Sequence, residues 1–148
     1  MKKYDVIVIG TGAGNIILEE ALKEGLHCAQ IERGKFGGTC LTRGCIPTKA
    51  MIHATELFRE MQSAAEYGIF AENVRYDYEK ILSYRDDVIN KLVSGVGQLF
   101  KANGVELLEG TGTLEKDGSV TVRSAEGELH CKAKHTILAV GSKPATVP

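Results

Sequence analysis

The sequence predicts an α/β fold with a parallel sheet, long helices and a β-meander insertion, and three observations predict it. Residues 4–9 (Tyr-Asp-Val-Ile-Val-Ile) form a continuous β-branched run without clean alternation, the pattern of a strand buried on both faces of a parallel sheet. A glycine turn, a helical apolar repeat and a second short strand follow at once, which is the order of a βαβ unit with a right-handed crossover. Towards the other end, short β-type segments alternate with glycine turns. The first two features together make the fold Rossmann-like.

The elements follow in order. The turn is Gly10-Thr11-Gly12-Ala13-Gly14. After it Ile16, Ile17, Leu18, Ala21 and Leu22 recur at helical spacing until Gly25, and Ala29–Glu32 is the second strand. Beyond a Gly34–Gly44 loop, Pro47 suits the first turn of a helix whose apolar face is Ala50, Ala54, Leu57, Phe58, Met61 and Ala65. A turn-rich stretch, Tyr67–Asp77, precedes a long helix near Tyr78–Ala102. Its stripe is Ile81, Leu82, Val88, Ile89, Leu92, Val96, Leu99 and Phe100, and Gly95 and Gly97 are expected to permit close packing. The meander comprises Val105–Leu114, Ser119–Ser124 and Glu128–Lys132, with Lys116-Asp117-Gly118 and Ala125-Glu126-Gly127 as turns. His135–Val140 is a further buried strand ended by Gly141. The chain stops just after Pro144 and Pro148, where such a fold continues, so residues 1–148 read as an incomplete domain.

Composition narrows the function classes. With 148 residues, 43% hydrophobic, 25% charged and a net charge of -1, the chain has the balance of an ordinary globular domain. Nothing in that charge favours nucleic acid or an anionic membrane as partner. The longest apolar run, Val6–Ile9, is too short for a bilayer span or a secretory signal, and a cytoplasmic location is expected. Structural disulfides are uncommon in that compartment, whereas catalytic ones occur.

The glycine turn has the chemistry of a dinucleotide site. Gly10 permits the tight turn, Gly12 lets backbone approach a pyrophosphate, and the helix start offers that anion free N–H groups and a positive dipole end. Glu32, about 20 residues on, can accept hydrogen bonds from ribose hydroxyls. The strict pattern wants a third glycine at position 15, for close helix–strand packing. This chain has Asn15, and a slightly displaced helix is expected.

The most informative stretch is Gly37-Gly38-Thr39-Cys40-Leu41-Thr42-Arg43-Gly44-Cys45-Ile46-Pro47-Thr48-Lys49. Five residues of regular helix rotate the chain by about 140° and advance it about 7.5 Å. A disulfide needs Cα atoms within about 7 Å. An oxidised Cys40–Cys45 pair therefore requires a loop or distorted turn, for which Gly44 provides the freedom. Cys45 precedes Pro47 and falls at or near a helix N-cap, where the dipole, with Arg43 and Lys49, favours the thiolate. Zinc ligation lacks a second cysteine pair, and His27, His53, His130 and His135 are scattered, so no metal is expected. A structural disulfide and inert thiols remain as alternatives. Cys28 and Cys131 read as small buried hydrophobes.

At this segment the sequence resembles a known family. Gly38-Thr39-Cys40-x4-Cys45-Ile46-Pro47-x-Lys49 is similar to the active-site motif of class I pyridine nucleotide–disulfide oxidoreductases. The resemblance extends through the glycine turn, Glu32, Gly110-Thr111-Gly112 and Ala139-Val140-Gly141. It implies an FAD-binding domain. Gly10, Gly12, Ala13 and Gly14 would hold the pyrophosphate, and Glu32 with Arg33 the adenosine side. Gly38 and Thr39 would line the cofactor, Gly112 would approach adenine, and Gly141, with Ala139, would mark the last strand beside the cofactor. Cys45 would face the flavin, Cys40 would exchange with substrate, and Lys49 would approach the flavin ring.

The implied reaction moves electrons between NAD(P)H, flavin, the cysteine pair and a dithiol or disulfide. Dihydrolipoamide dehydrogenases are the nearest subgroup, with a lipoyl domain of a 2-oxoacid dehydrogenase complex as partner. Asn15 and Thr48-Lys49 also resemble mycothione reductases, and glutathione or mercuric reductases are further alternatives. Thr42-Arg43 replaces the usual Asn-Val between the cysteines and leaves the substrate open. The nicotinamide and dimerisation domains, the latter with a His-Glu acid–base pair, are expected outside this chain in a homodimeric parent. The isolated 148 residues are therefore expected to bind FAD weakly or not at all and not to turn over. A stand-alone flavin/thiol redox module is the competing class.

Overall fold

A computed structural model describes residues 1–146; Pro148, where the predicted domain stops, lies outside the described residues. In chain order the elements are β1 (Lys2–Ile9), α1 (Gly14–Lys23), β2 (Cys28–Glu32), α2 (Gly38–Thr42), α3 (Cys45–Ser63), a 3-10 turn (Ala64–Tyr67), α4 (Tyr78–Ala102), β3 (Glu106–Glu109), β4 (Thr111–Leu114), β5 (Ser119–Ser124) and β6 (Gly127–Leu138). They form two compact units, Met1–Gly38 with the chain from Ser94 onward, and Thr39–Val93.

The first unit is built on a six-stranded sheet in the order β3-β2-β1-β6-β5-β4. The pairs β3–β2, β2–β1 and β1–β6 are parallel; β6–β5 and β5–β4 are antiparallel. The Val6–Ile9 run of β1 is apolar at every position because both of its faces are covered. Val6 and Val8 point to one cluster with Leu18 and Ala21 of α1, Cys28, Phe100 of α4 and Val105. Ile7 and Ile9 point to the other, with Ala29, Ile31, Val120, Val122 and Cys131. The helices thus cover one face of the parallel strands and the meander the other.

Four details differ from the sequence reading. Val105–Leu114 is two strands, because Gly110 breaks it at φ +148°, where an added Cβ would lie 2.6 Å from the Arg123 carbonyl oxygen. The two segments predicted within 128–140 are one 12-residue strand, β6. Its beginning pairs with β5 and its length from Cys131 to Leu138 with β1, so the meander continues the parallel sheet through a shared strand. In α1 the buried positions are Gly14, Leu18 and Ala21, while Ile16 and Ile17 are exposed. Gly95 and Gly97 mark no tight contact: a Cβ at Gly95 would meet open space, and one at Gly97 would touch Leu107 at an ordinary 3.8 Å.

The second unit contains α3, the 3-10 turn and most of α4. Ala50 and Ile89 are its buried apolar positions, and Phe58 packs edge-on against Tyr76 with ring centroids 5.6 Å apart. The predicted face of α3 is only partly realised, since Leu57 and Met61 are each 47% exposed. The bounds of α4 agree with the expectation. The short helix α2, inside the predicted Gly34–Gly44 loop, does not.

Candidate functional site

β1 delivers the chain to the glycine turn. The Gly10 amide donates to the Ile31 carbonyl (2.8 Å), which pins the turn to the end of β2. Gly10 has φ +104°, and a Cβ there would overlap the carbonyl oxygen of Ala139. Gly14, not position 15, makes the close helix–strand approach: its Cβ would lie 2.6 Å from Val8 Cγ1 and 2.8 Å from Ala139 Cβ. A glycine at 15 is therefore not needed for packing, and the helix seats on β1 without one. Gly38 has φ +67°, and its Cβ would fall 2.6 Å from Gly12 Cα.

Gly12 is the exception. Its φ is not positive, and a Cβ would meet nothing nearer than Gly38 Cα at 3.9 Å. Among the described residues nothing demands glycine at this position, and the space above it is open. Beside that space α1 begins with no side-chain cap and no acidic residue in its first turn. A bare helix start of this kind suits an anion such as a pyrophosphate.

Thr11 organises the turn, a role the sequence did not signal because it holds a variable position of the motif. Its side chain is 2% exposed. The hydroxyl donates to Glu32 Oε2 (2.7 Å) and accepts from the amides of Gly37 (3.0 Å) and Gly38 (3.2 Å). Glu32 Oε1 accepts from the Gly34 amide (3.0 Å). The carboxylate is thus fixed at the C-terminal end of β2, and each oxygen keeps lone-pair capacity for a further donor. Asn15 accepts a hydrogen bond from the Gln30 side chain (2.5 Å).

The other predicted cofactor residues of this unit lie around the strand ends. Gly112 in β4 sits over β1 and β2, where a Cβ would press on Ile9 and Ile31 at 3.1 Å. The Ala139 amide donates to Ile9 (2.8 Å), and Gly141, at φ +75°, lies beyond the end of β6. Arg33 lines an open cleft of about 820 Å³ with Glu109, Gly110, Thr111 and Arg123.

In the second unit Cys40 and Cys45 are joined in a disulfide, with Cα atoms 4.7 Å apart. The irregularity the spacing requires is a break between two helices. Cys40 lies in α2, Cys45 is the first residue of α3, and Arg43-Gly44 separates them. Gly44 has φ −122° and ψ −101°, and its Cβ would stand 3.2 Å from the Thr39 carbonyl oxygen, so the break folds tightly on α2. Both cysteines are exposed, as are Thr39 and Lys49. Lys49 stands one turn beyond Cys45 on the same side of α3. Like α1, α3 begins with no side-chain cap and no acidic residue in its first turn. Cys45 thus opens a helix whose start carries no side-chain cap.

The remaining cysteines and two of the histidines have local roles. Cys28 and Cys131 are fully buried free thiols whose pKa values burial pushes up, as expected of small apolar residues. His27 packs on Tyr4 with centroids 4.9 Å apart, and His130 Nδ1 lies 3.3 Å from Thr121 Oγ1.

With this geometry in view, comparison with known proteins is specific. The family model described as pyridine nucleotide-disulphide oxidoreductase matches residues 4–148. A dihydrolipoyl dehydrogenase of Staphylococcus aureus is 35% identical over 145 residues, covering 97% of this chain and 31% of the relative. Dihydrolipoyl dehydrogenase 3 of Haloarcula marismortui is 36% identical over 148 residues, covering 97% and 31%. The chain thus spans about a third of the length of these relatives. Among solved structures, the Cu(II) complex of a HOCl-induced flavoprotein disulfide reductase from Escherichia coli superposes with a TM-score of 0.81. It is 24% identical and is covered over 100% of this chain and 31% of its own.

Proposed function

The chain belongs to the pyridine nucleotide-disulphide oxidoreductase family, and within that family we propose that it is the FAD-binding, redox-disulfide part of a dihydrolipoyl dehydrogenase. The observation that carries the reading is the Cys40–Cys45 disulfide across a helix break, with Cys45 opening the uncapped α3.

The turn suits the pyrophosphate of FAD, because the space over Gly12 is open and α1 begins beside it without a side-chain cap. Gly10, Gly12, Ala13 and Gly14 would hold the pyrophosphate, and Glu32 and Arg33 the adenosine side, with Gly112 against adenine. Gly38, Thr39, Ala139 and Gly141 would border the flavin half, and Lys49 its ring. FAD bound there would supply hydride and electron transfer.

The chain's own chemistry is thiol–disulfide exchange. A substrate dithiolate attacks the Cys40 sulfur; the Cys40–Cys45 bond breaks and Cys45 leaves as thiolate. The second substrate thiol then displaces Cys40 from the mixed disulfide. The substrate ends as a disulfide, and the pair ends as two thiols holding two electrons. A lower-pKa leaving thiol departs faster, and the bare start of α3 stabilises Cys45 in that state. Cys40, exposed on α2, is accessible to the attacking thiolate.

The lipoyl domain of a 2-oxoacid dehydrogenase complex is the proposed substrate carrier. NAD(P) and the homodimer contact belong, in this reading, to the rest of the protein, working in the cytoplasm. The test is turnover by the full-length protein with FAD. NAD-linked oxidation of dihydrolipoamide, at least about a hundredfold more efficient than NAD(P)H-linked reduction of glutathione or mycothiol disulfide, supports it. The reverse preference replaces it with a reductase.

A further inference from the structure

Gln30 is an unusual residue for the middle of a buried strand. It lies in β2 opposite Val8 of β1, with a relative exposure of 0%. Its Nε2 donates to the Gly10 carbonyl (3.2 Å) and to Asn15 Oδ1 (2.5 Å). Its Oε1 is buried and has no partner among the described residues. The orientation of the amide is fixed by these neighbours, since both groups that Nε2 meets are acceptors. One side chain thus ties the first residue of the glycine turn to the second residue of α1.

Stability gives no reason for this choice. The net gain from two neutral hydrogen bonds is of the same size as the cost of one orphaned buried acceptor. An apolar residue of similar volume would fill the site without that cost. What an apolar residue cannot do is hold both ends of the turn. Asn15 matches the arrangement: it stands where the dinucleotide pattern has glycine, and its side chain reaches Gln30 instead of leaving the space empty.

We propose that Gln30 and Asn15 act as one positioning unit that holds the Gly10–Asn15 turn in the shape that receives a dinucleotide pyrophosphate. The inference rests on the reading of the turn as the FAD site. Gln30 itself is buried and acts through the turn.

The test uses the full-length protein stripped of flavin and titrated with FAD by quenching of flavin fluorescence, beside thermal unfolding of the same apoproteins. Gln30→Met keeps volume and removes both the clamp and the orphaned oxygen. It is expected to weaken FAD binding about tenfold, about 1.4 kcal/mol, while the apoprotein Tm holds or rises. This opposition of signs is what a merely structural residue would not give. Asn15→Gly is expected to weaken binding similarly, and the Asn15→Gly/Gln30→Met pair no more than the worse single change. Additive losses overturn the proposal, as does a fall in Tm with an FAD Kd within twofold of the parent. If Gln30→Met does not fold, Asn15→Gly decides by the same two readouts. A parent apoprotein that does not bind FAD overturns the functional reading itself. A parent that binds, with indifferent variants, overturns only this one.

Discussion

The glycine turn and the cysteine segment are both irregular, yet they are held by opposite means. At the turn, Gly10, Gly14 and Gly38 are required by neighbours inside the fold, and Thr11 is buried with its hydroxyl bonded to Glu32, Gly37 and Gly38. The cysteine segment is exposed, and a covalent bond and one helix break fix its shape. Packing builds the turn that the proposed function gives to a ligand. In the proposed function the disulfide is a place that must itself change during reaction, and a deeply packed pair could not open without disturbing a core. Two uncapped helix starts, those of α1 and α3, serve the two places in the same way, by favouring negative charge.

The largest test of this contrast is at the cysteines. Cys45→Ser in the full-length protein is expected to lower dithiol oxidation more than about a thousandfold while the Tm changes little, because the residue is exposed. Retained activity would break the comparison. At the turn the effects divide. Gly10→Ala forces a Cβ into the Ala139 carbonyl at a positive φ and should cost about 3 kcal/mol of stability by chemical denaturation. Gly12→Ala should leave stability within about 0.5 kcal/mol, yet weaken FAD at least about tenfold by titration.

The smallest effect lies at the far end of the sheet. Hydrogen bonds from Lys2 and then from the Tyr4 hydroxyl hold the Glu106 carboxyl below its ordinary value. Its contribution is present above the unfolded pKa of 4.5 and is lost as pH falls through the lower folded value. The pair is solvent-exposed, so Glu106→Gln should remove only about 0.5 kcal/mol at neutral pH, and that difference should vanish in acid.

Much of this was legible in the sequence where one local rule decides the outcome. The Val6–Ile9 run of β1, the bounds of α4 and the glycine turn each carry their own period or punctuation. The predicted α4 stripe is only partly realised, since Leu92 and Leu99 are exposed. The spacing of Cys40 and Cys45 demanded an irregular backbone, although not that it would be a break between two helices. What stayed hidden depends on partners distant in sequence. No pattern pairs Gln30 with Asn15 or Thr11 with Gly37, and the continuity of β6 arises because β1 and β5 pair with overlapping stretches of it. Gly14 could not be told from position 15 as the packing glycine until Val8 and Ala139 were placed beside it.

The central proposal is that the Cys40–Cys45 pair exchanges electrons with a flavin, Cys45 as the thiolate. Anaerobic titration of the full-length protein with dithionite tests it most directly. The account predicts a long-wavelength thiolate–flavin absorbance after two electrons per flavin, present with Cys40→Ser and abolished by Cys45→Ser. Direct bleaching of the flavin without that band, or a band that survives Cys45→Ser, would contradict it.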